Sequence, residues 1–401
     1  MNKRILLAWE LGGGRGHAYI LSWIARALKE RGYEPVLAVQ QLNILESVRA
    51  DIAGMGYLQA PIWPGLRDAA PYKAPGPTVT LGDIIADLGL SSPSATEQMV
   101  HAWDRLIAVV DPAVLIANFA PGALLAGRGR LPTIATGEGF TLPPTTMDNF
   151  LNFNENAEQP KYDESKLLEI VNDCLRSMQR PPRSRLPEIF AADRSCVAAF
   201  TEFDPYAEFR RQPNAGPWAP RWDRAIRKEK TEIFGYFSIR VPFEGLIVRA
   251  LSEVVKEGIP VRVHMPQLNA EQQSYLAEVG VMVERTPLPF EEIHRRARLV
   301  VSLGSFSFVS CALAAGIPQI VFPLGIAKHV TGKAIEQIGV GRWLEVNSQN
   351  PLEPALLAQA LIEAYRDEKI AAKAKELAPD FERRLEPRPE DVVAQLVDEL
   401  V

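Results

Sequence analysis

The chain has 401 residues, 47% of them hydrophobic and 23% charged, and a formal net charge of −5. This length is enough for two domains with substantial cores, and this charge gives no reason to expect nucleic acid as a partner. Three widely spaced cysteines predict neither a disulfide framework nor a zinc site, so we expect a reducing, cytoplasmic environment. No apolar run is long enough for a transmembrane helix and the N-terminus lacks a signal-peptide pattern, which leaves peripheral membrane contact open.

The first elements predict a strand, a glycine-rich turn and a helix. Ile5 to Leu11 is an apolar run typical of a buried strand, and residues 12–17 read Gly-Gly-Gly-Arg-Gly-His. From His17 to Glu30 apolar residues recur at helical spacing, and Pro35 to Gln40 predicts the next strand. This βαβ unit favours a Rossmann-like domain. A dinucleotide site is disfavoured, because the spacing is not G-x-G-x-x-G and no acidic residue ends the second strand.

Strand and helix patterns alternate along most of the chain and indicate two domains. The first covers residues 1–215, and residues 216–230 are a linker rich in proline and tryptophan that ends in Arg-Lys-Glu-Lys. The second domain covers residues 231–379, and residues 380–401 predict one terminal amphipathic helix.

A second βαβ unit is predicted between residues 299 and 344. An apolar run that ends at Ser302 indicates a buried strand, and Gly316 with Pro318 ends the helix that follows. The next strand covers Gln319 to Pro323, before a polar loop with Lys328 and His329 and an amphipathic segment that ends at Gly339. A helix N-terminus beside small residues has free N–H groups and suits a phosphate, although every α/β protein contains such units.

The order helix, A-L-x-A-G-x-P, strand, proline, polar loop, helix and G-x-G over about Leu299 to Leu344 resembles the donor-sugar signature of GT-B glycosyltransferases. The UDP-glucuronosyl and macrolide-glycosylating enzymes of bacterial type are the most similar. G-x-G-H at residues 14–17 resembles the acceptor-side loop of the same enzymes. The resemblance implies an α/β GT-B fold, with two Rossmann-like domains facing each other across a cleft. It also implies that the helix within residues 380–401 packs back on the first domain.

The resemblance implies catalytic roles for His17 and Asn118. In the family the His of this loop is commonly the general base that deprotonates the acceptor, and a neutral imidazole at a helix N-terminus suits that role. A capping or packing role is the alternative for His17. Family members often have Asp at the position of Asn118, whose amide can orient an imidazole but cannot stabilise an imidazolium by charge.

The resemblance also implies a nucleotide-diphosphate sugar, a UDP- or TDP-sugar, as co-substrate, with no other cofactor and no metal. The helix dipole and N–H groups can carry the leaving diphosphate. Residues 286–290 correspond to the place where the family binds the nucleotide base. The residues predicted to bind the donor are Gly13, Gly14, Pro287, Leu288, Gly304, Ser305, Ser307, Lys328 and His329.

Several positions depart from the family pattern. Leu303 stands where the family has His, and Ser305 replaces the second glycine of its H-G-G. Cys311 replaces an acid that contacts the ribose, and Ala327-Lys328 replaces an Asp/Glu-Gln pair that binds sugar hydroxyls. A lysine ammonium only donates hydrogen bonds, so it suits a donor with its own carboxylate, such as a uronic acid, or the diphosphate. A solvated lysine is the alternative.

The first interpretation is an inverting glycosyltransferase that moves a sugar from a nucleotide-diphosphate donor to a hydroxyl of a small molecule or a lipid. The alternative is a GT-B-fold protein that binds nucleotide sugars or regulates without turnover, which the departures favour. A GT-B epimerase ranks last, since its usual carboxylates are not evident in the sequence.

Overall fold

The structure is a computed structural model that describes residues 2–68, 71, 73–153, 159–223, 230–346 and 352–401. The chain forms two compact units. The first contains residues 1–216 and 387–401, and the second contains residues 217–386. Part of the predicted linker, residues 224–229, lies outside the described residues.

The first unit is built on one parallel sheet. Its strands are β1 (Arg4–Trp9), β2 (Glu34–Val39), β3 (Gly56–Gln59), β4 (Val114–Asn118), β5 (Thr133–Gly137) and β6 (Arg194–Val197). Their order in the sheet is β3-β2-β1-β4-β5-β6. Strands β4 and β5 are buried along their whole length, which is why they read as continuous apolar runs. The strand order reverses between β1 and β4, and open α/β sheets bind ligands at this switch point, outside the carboxyl ends of the strands.

Five helices of the first unit follow from similarly clear signals. They are α1 (Gly16–Glu30), α2 (Leu81–Ile85), α3 (Pro93–Val110), α4 (Pro121–Gly127) and α5 (Glu164–Ser177). Helix α1 starts directly after the glycine-rich turn and buries its apolar face. Helix α3 begins after Ser92, whose hydroxyl accepts a hydrogen bond from the N–H of Ala95.

The second unit repeats this topology. Its strands are β7 (Glu232–Tyr236), β8 (Val261–His264), β9 (Met282–Glu284), β10 (Ala297–Ser302), β11 (Gln319–Val321) and β12 (Gly341–Trp343). They form a second parallel sheet in the order β12-β11-β10-β7-β8-β9. The switch point therefore lies between β7 and β10, where the segment after Ser302 was predicted to bind phosphate.

Helices cover the second sheet and complete both units. They are α6 (Glu244–Lys256), α7 (Ala270–Glu278), α8 (Phe290–Arg296), α9 (Phe306–Ala314), α10 (Ile326–Ile338), α11 (Pro354–Arg366) and α12 (Glu368–Arg383). The last helix, α13 (Pro389–Leu400), belongs to the first unit, where it contacts α1 and β6. Residues 380–401 therefore hold the end of α12 as well as α13. No helix in the described ranges is long and apolar enough to cross a membrane.

Candidate functional site

The turn after β1 is tied to the turn after β4, so the two loops of the first switch point form one structure. The N–H of Leu11 donates a hydrogen bond to the carbonyl of Phe119 at 3.0 Å. Gly12 and Gly14 have φ angles of +80° and +92°, which L side chains rarely adopt, so both positions require glycine. Phe119 has a φ of +49° without being glycine, a strained backbone of the kind that clusters at functional sites.

The structure brings the two predicted catalytic residues together. Nδ1 of His17, in the first turn of α1, lies 2.7 Å from Oδ1 of Asn118, at the end of β4. The amide Nδ2 of Asn118 donates to the carbonyl of Thr136 at 3.4 Å, which turns Oδ1 toward the imidazole. Because Oδ1 only accepts hydrogen bonds, Nδ1 carries the proton and Nε2 keeps its lone pair. Nε2 is thus the basic atom.

Two aromatic rings pack against the imidazole of His17. The rings of His17 and Trp9 are stacked with centroids 5.0 Å apart, and the Phe119 ring is stacked on His17 at 6.4 Å. Burial lowers the pKa of His17 below 6.5, and the hydrogen bond with Asn118 opposes this shift. The residue remains partly accessible to solvent. At neutral pH the imidazole is therefore neutral, reachable and able to accept a proton.

The glycine turn leaves room beside the basic nitrogen. A Cβ added at Gly12 would lie 2.6 Å from Nε2 of His17, so a side chain there would displace the ring. Gly13 is exposed and Gly14 is partly exposed in the same turn. These two predicted donor-binding residues thus lie with His17 in the first unit.

Sequence patterns did not single out Glu10, which is completely buried at the end of β1. Its carboxylate accepts hydrogen bonds from the N–H groups of Gly122 and Ala123 at 3.0 and 3.1 Å, and from the indole of Trp63. Burial raises the pKa of Glu10 to about 7, and these donors oppose the shift. The sequence signal that could have identified Glu10 was a single acidic residue in an otherwise apolar run.

The predicted phosphate-binding residues of the second unit lie together at the start of α9. Ser305 is the N-cap of this helix, but its side chain does not cap it. Ser305 and Ser307 are partly exposed, whereas their neighbours in this segment are buried. Gly304 has a φ of +76°, and its N–H donates to the hydroxyl of Ser302 at 3.1 Å. The two serines and the helix N-terminus can therefore face an anion.

The predicted loop with Lys328 and His329 is wrong, since both residues lie in the first turn of α10. Gly325, with a φ of +82°, provides the turn into the helix, so Ile326 already has helical geometry. The carbonyl of Lys328 lies 3.6 Å from a Cβ built at Gly304, so this turn is next to the start of α9. The ring of His329 packs edge-on against Trp343, 5.4 Å away, and its Nε2 lies 3.8 Å from Glu345.

Pro287 and Leu288 are partly exposed in the segment between β9 and α8. Sequence patterns did not reveal an aromatic cluster that includes Phe308 of α9. The Tyr236 ring, at the end of β7, is stacked on Phe308 in α9 at 4.8 Å, and Phe290 meets Phe308 edge-on at 6.1 Å. An aromatic residue at the end of a switch-point strand was the available signal.

Two positions where the family has ligand-binding residues are inaccessible here. Leu303 is 3% exposed and belongs to the hydrophobic core of the second unit. Cys311 is 1% exposed in α9. Neither side chain is placed to touch a ligand. Among the described residues, no three His, Cys, Asp or Glu side chains are arranged to hold a metal ion.

Comparison with known proteins agrees with this architecture. Residues 246–399 match the family model for the C-terminal domain of erythromycin biosynthesis protein CIII-like proteins. No curated protein matches the chain by sequence. The calicheamicin glycosyltransferase CalG4 is similar over 100% of this chain and 98% of its own, with a TM-score of 0.70 and 15% identity.

The spinosyn rhamnosyltransferase SpnG has been solved with two ligands. The structure with thymidine diphosphate covers 98% of this chain and 100% of its own, with a TM-score of 0.65 and 16% identity. The structure with spinosyn aglycone has the same coverage, a TM-score of 0.67 and 15% identity. The chain therefore has the GT-B glycosyltransferase fold, with an EryCIII-like C-terminal domain. The predicted fold class and the predicted resemblance are confirmed.

Proposed function

We propose that this protein is an inverting glycosyltransferase, which moves a sugar from a nucleotide-diphosphate donor to an acceptor hydroxyl with His17 as the general base. The observation that carries the proposal is the His17–Asn118 pair, whose geometry leaves Nε2 of His17 as a free base beside Gly12. The fold and the domain match support the same conclusion.

The proposed reaction needs one proton transfer and one displacement. The acceptor hydroxyl gives its proton to Nε2 of His17 as its oxygen forms a bond with the anomeric carbon. The bond from that carbon to the diphosphate breaks on the opposite face, which inverts the configuration, and the nucleoside diphosphate leaves with the bonding electrons. Asn118 accepts a hydrogen bond from Nδ1 throughout, so the ring keeps its orientation as it becomes an imidazolium.

The donor is proposed to bind the second unit at the start of α9. Ser305, Ser307 and the helix N-terminus would contact the diphosphate, and Lys328 in the neighbouring first turn of α10 would add a positive charge. A solved relative binds thymidine diphosphate and another binds UDP, which supports a TDP- or UDP-sugar. Roles for Pro287, Leu288, Gly13, Gly14 and His329 in donor binding stay part of this proposal.

The acceptor is proposed to be a small molecule or a lipid, because the SpnG structure with spinosyn aglycone has the same fold. We place the reaction in the cytoplasm without a metal cofactor. Cys174, Cys196 and Cys311 are buried and, within the described part of the chain, form no disulfide, which agrees with a reducing compartment.

A non-catalytic nucleotide-sugar-binding or regulatory protein is the second candidate. The specific observation in its favour is the burial of Leu303 and Cys311, which removes two ligand contacts expected of the family. The two candidates agree on nucleotide binding and differ on turnover.

A thermal-shift screen against UDP, TDP, GDP and their sugars tests the proposal first. A ligand that binds only the folded state stabilises it and therefore raises the melting temperature. At a ligand concentration of 100 times its Kd, the stabilisation is about 2.7 kcal/mol. Incubation of the binding nucleotide sugar with a panel of hydroxyl acceptors then shows whether a glycoside forms. Binding with glycoside formation supports the enzyme, and binding without turnover on any acceptor supports the second candidate. No shift with any nucleotide contradicts both.

A further inference from the structure

We propose that Glu10 is a positioning residue for the His17–Asn118 pair, because its side chain anchors the start of α4 and thereby the turn that carries Asn118. This inference rests on the proposed role of His17. Glu10 does not touch the reacting atoms, and it acts through the backbone of the loop between β4 and α4.

The Glu10 carboxylate lies at the start of α4 and binds two of its backbone N–H groups. Its two oxygens accept separately, Oε1 from the N–H of Gly122 and Oε2 from the N–H of Ala123. These N–H groups belong to the first turn of α4 and have no partner within the helix. A Cβ at Gly122 would lie 2.9 Å from each oxygen, so the backbone reaches the carboxylate only because this residue is glycine.

The start of α4 is close along the chain to Asn118, which contacts His17. Only Phe119, Ala120 and Pro121 separate Asn118 from Gly122. The strained φ of Phe119 must be held by its surroundings. Its carbonyl accepts the hydrogen bond from Leu11, the residue after Glu10. Two consecutive residues of the first loop therefore hold both ends of the turn that presents Asn118 to His17.

The hydrogen bonds of Glu10 depend on the charge of its side chain. The groups that face Glu10 are the N–H groups at the start of α4 and the indoles of Trp63 and Trp103, the latter outside hydrogen-bond geometry. No charged side chain of the described residues is among the causes that shift its pKa. An ionised carboxylate accepts from the two N–H groups and from the indole of Trp63, whereas a protonated one turns an O–H toward them. Since burial raises the pKa of Glu10 to about 7, its hydrogen bonds to the start of α4 change near neutral pH.

Glu164 provides a matched control in the same unit. This residue also has its pKa raised to about 7 by burial, and its carboxylate accepts from the N–H of Phe150 at 3.1 and 3.2 Å. It starts α5 and makes no hydrogen bond to the loop with Asn118 in the described structure. Substitution of Glu164 therefore reproduces the loss of a buried, titrating carboxylate without removing a hydrogen bond to the loop with Asn118.

Nuclear magnetic resonance of the imidazole nitrogens tests the inference on the full chain without any substrate. The chain has five histidines, and the signals of His17 are those that disappear in His17→Ala. Protein labelled with ¹⁵N-histidine reports which ring nitrogen carries the proton. We expect His17 of the wild type to be protonated on Nδ1 at pH 8. Between pH 8 and 6.5 this tautomer should lose population to the other, with a midpoint near 7.

Glu10→Gln should show a mixture of His17 tautomers at pH 8 and no midpoint near 7, whereas Glu164→Gln should match the wild type. A Glu10→Gln protein with native circular dichroism and the wild-type tautomer at every pH overturns the inference. If this variant does not fold, the wild-type titration decides, and an unchanged tautomer from pH 8 to 6.5 overturns it. Failure of the proposed glycosyl transfer would appear separately, as absent turnover with the tautomer dependence intact.

Discussion

The two units share one sheet topology, but their switch points differ in how closely they match the glycosyltransferase pattern predicted from the sequence. In the first unit the proposed base, the amide beside it, the glycine turn and a buried carboxylate form a connected set of contacts. In the second unit the start of α9 keeps its glycine and two serines, whereas a core leucine occupies the position of the family's His. The comparison teaches that core packing preserves a fold independently of the chemistry at its ligand-binding edge.

The largest expected effect on stability concerns Glu10. It would show how strongly the residues of the first site depend on the core of the first unit. Its pKa rises from 4.5 to about 7 on folding, so the folded state holds the proton more tightly. The resulting stabilisation is present below pH 4.5 and is lost as the pH rises to 7. Relative to Glu10→Gln, the wild type should lose about 3 kcal/mol of unfolding free energy across this window. Urea denaturation of both proteins at pH 4.5 and 8 checks this, and a constant difference would contradict it.

Gly12→Ala should break the first site with little change elsewhere. The φ of +80° strains alanine by roughly 1–2 kcal/mol, and the new Cβ would push the imidazole of His17 out of place. A displacement of about 1 Å can cost about 100-fold in turnover. Gly16→Ala is the control, because Gly16 has an ordinary φ and open space around it. Equal turnover in the two variants would show that the space beside Nε2 is not needed.

Lys328→Gln tests whether Lys328 provides a contact to the donor at the second site, in place of the family contacts that are absent there. If the ammonium binds the diphosphate or a carboxylate of the sugar, donor affinity should fall by about 1–3 kcal/mol, the scale of a charge-assisted hydrogen bond. Calorimetry at fixed salt measures it, with Lys333→Gln on the same helix as the control. An affinity that matches the control leaves Lys328 as a surface residue.

Asn118→Asp restores the residue that the family often has and sharpens the comparison at the first site. A carboxylate 2.7 Å from Nδ1 would favour the imidazolium, so the pKa of His17 should rise by about one unit or more. The pH titration of the His17 imidazole signals measures the shift. An unchanged pKa would mean that the pair does not interact in solution as the geometry indicates.

Much of this fold was predictable, because buried parallel strands are apolar runs bounded by turn residues. The strand predicted at Pro35 to Gln40 is observed as Glu34–Val39, and α10 was predicted apart from its start. That start was missed because Gly325 and the polar residues after it are equally typical of a loop. Strand β12, with three residues, was missed since so short a run has no measurable periodicity.

The His17–Asn118 pair was predictable through its motif, whereas the role of Glu10 was not. Local sequence cannot show that a strand-end acid meets a helix start more than one hundred residues later. The charged run around His294 favours a solvated side chain, but His294 is 7% exposed and burial lowers its pKa to about 4. The charged run around it concealed the apolar face of α8, on which it lies with Phe290 and Ile293.

His17 is proposed to be the general base of a glycosyl transfer. The most direct test measures turnover and nucleotide affinity side by side for the wild type, His17→Ala and the control His101→Ala, a surface histidine of α3. His17→Ala should lower kcat by about 10²–10⁴-fold, the typical loss of a general base, with nucleotide affinity unchanged. Turnover of His17→Ala equal to that of His101→Ala would contradict the claim.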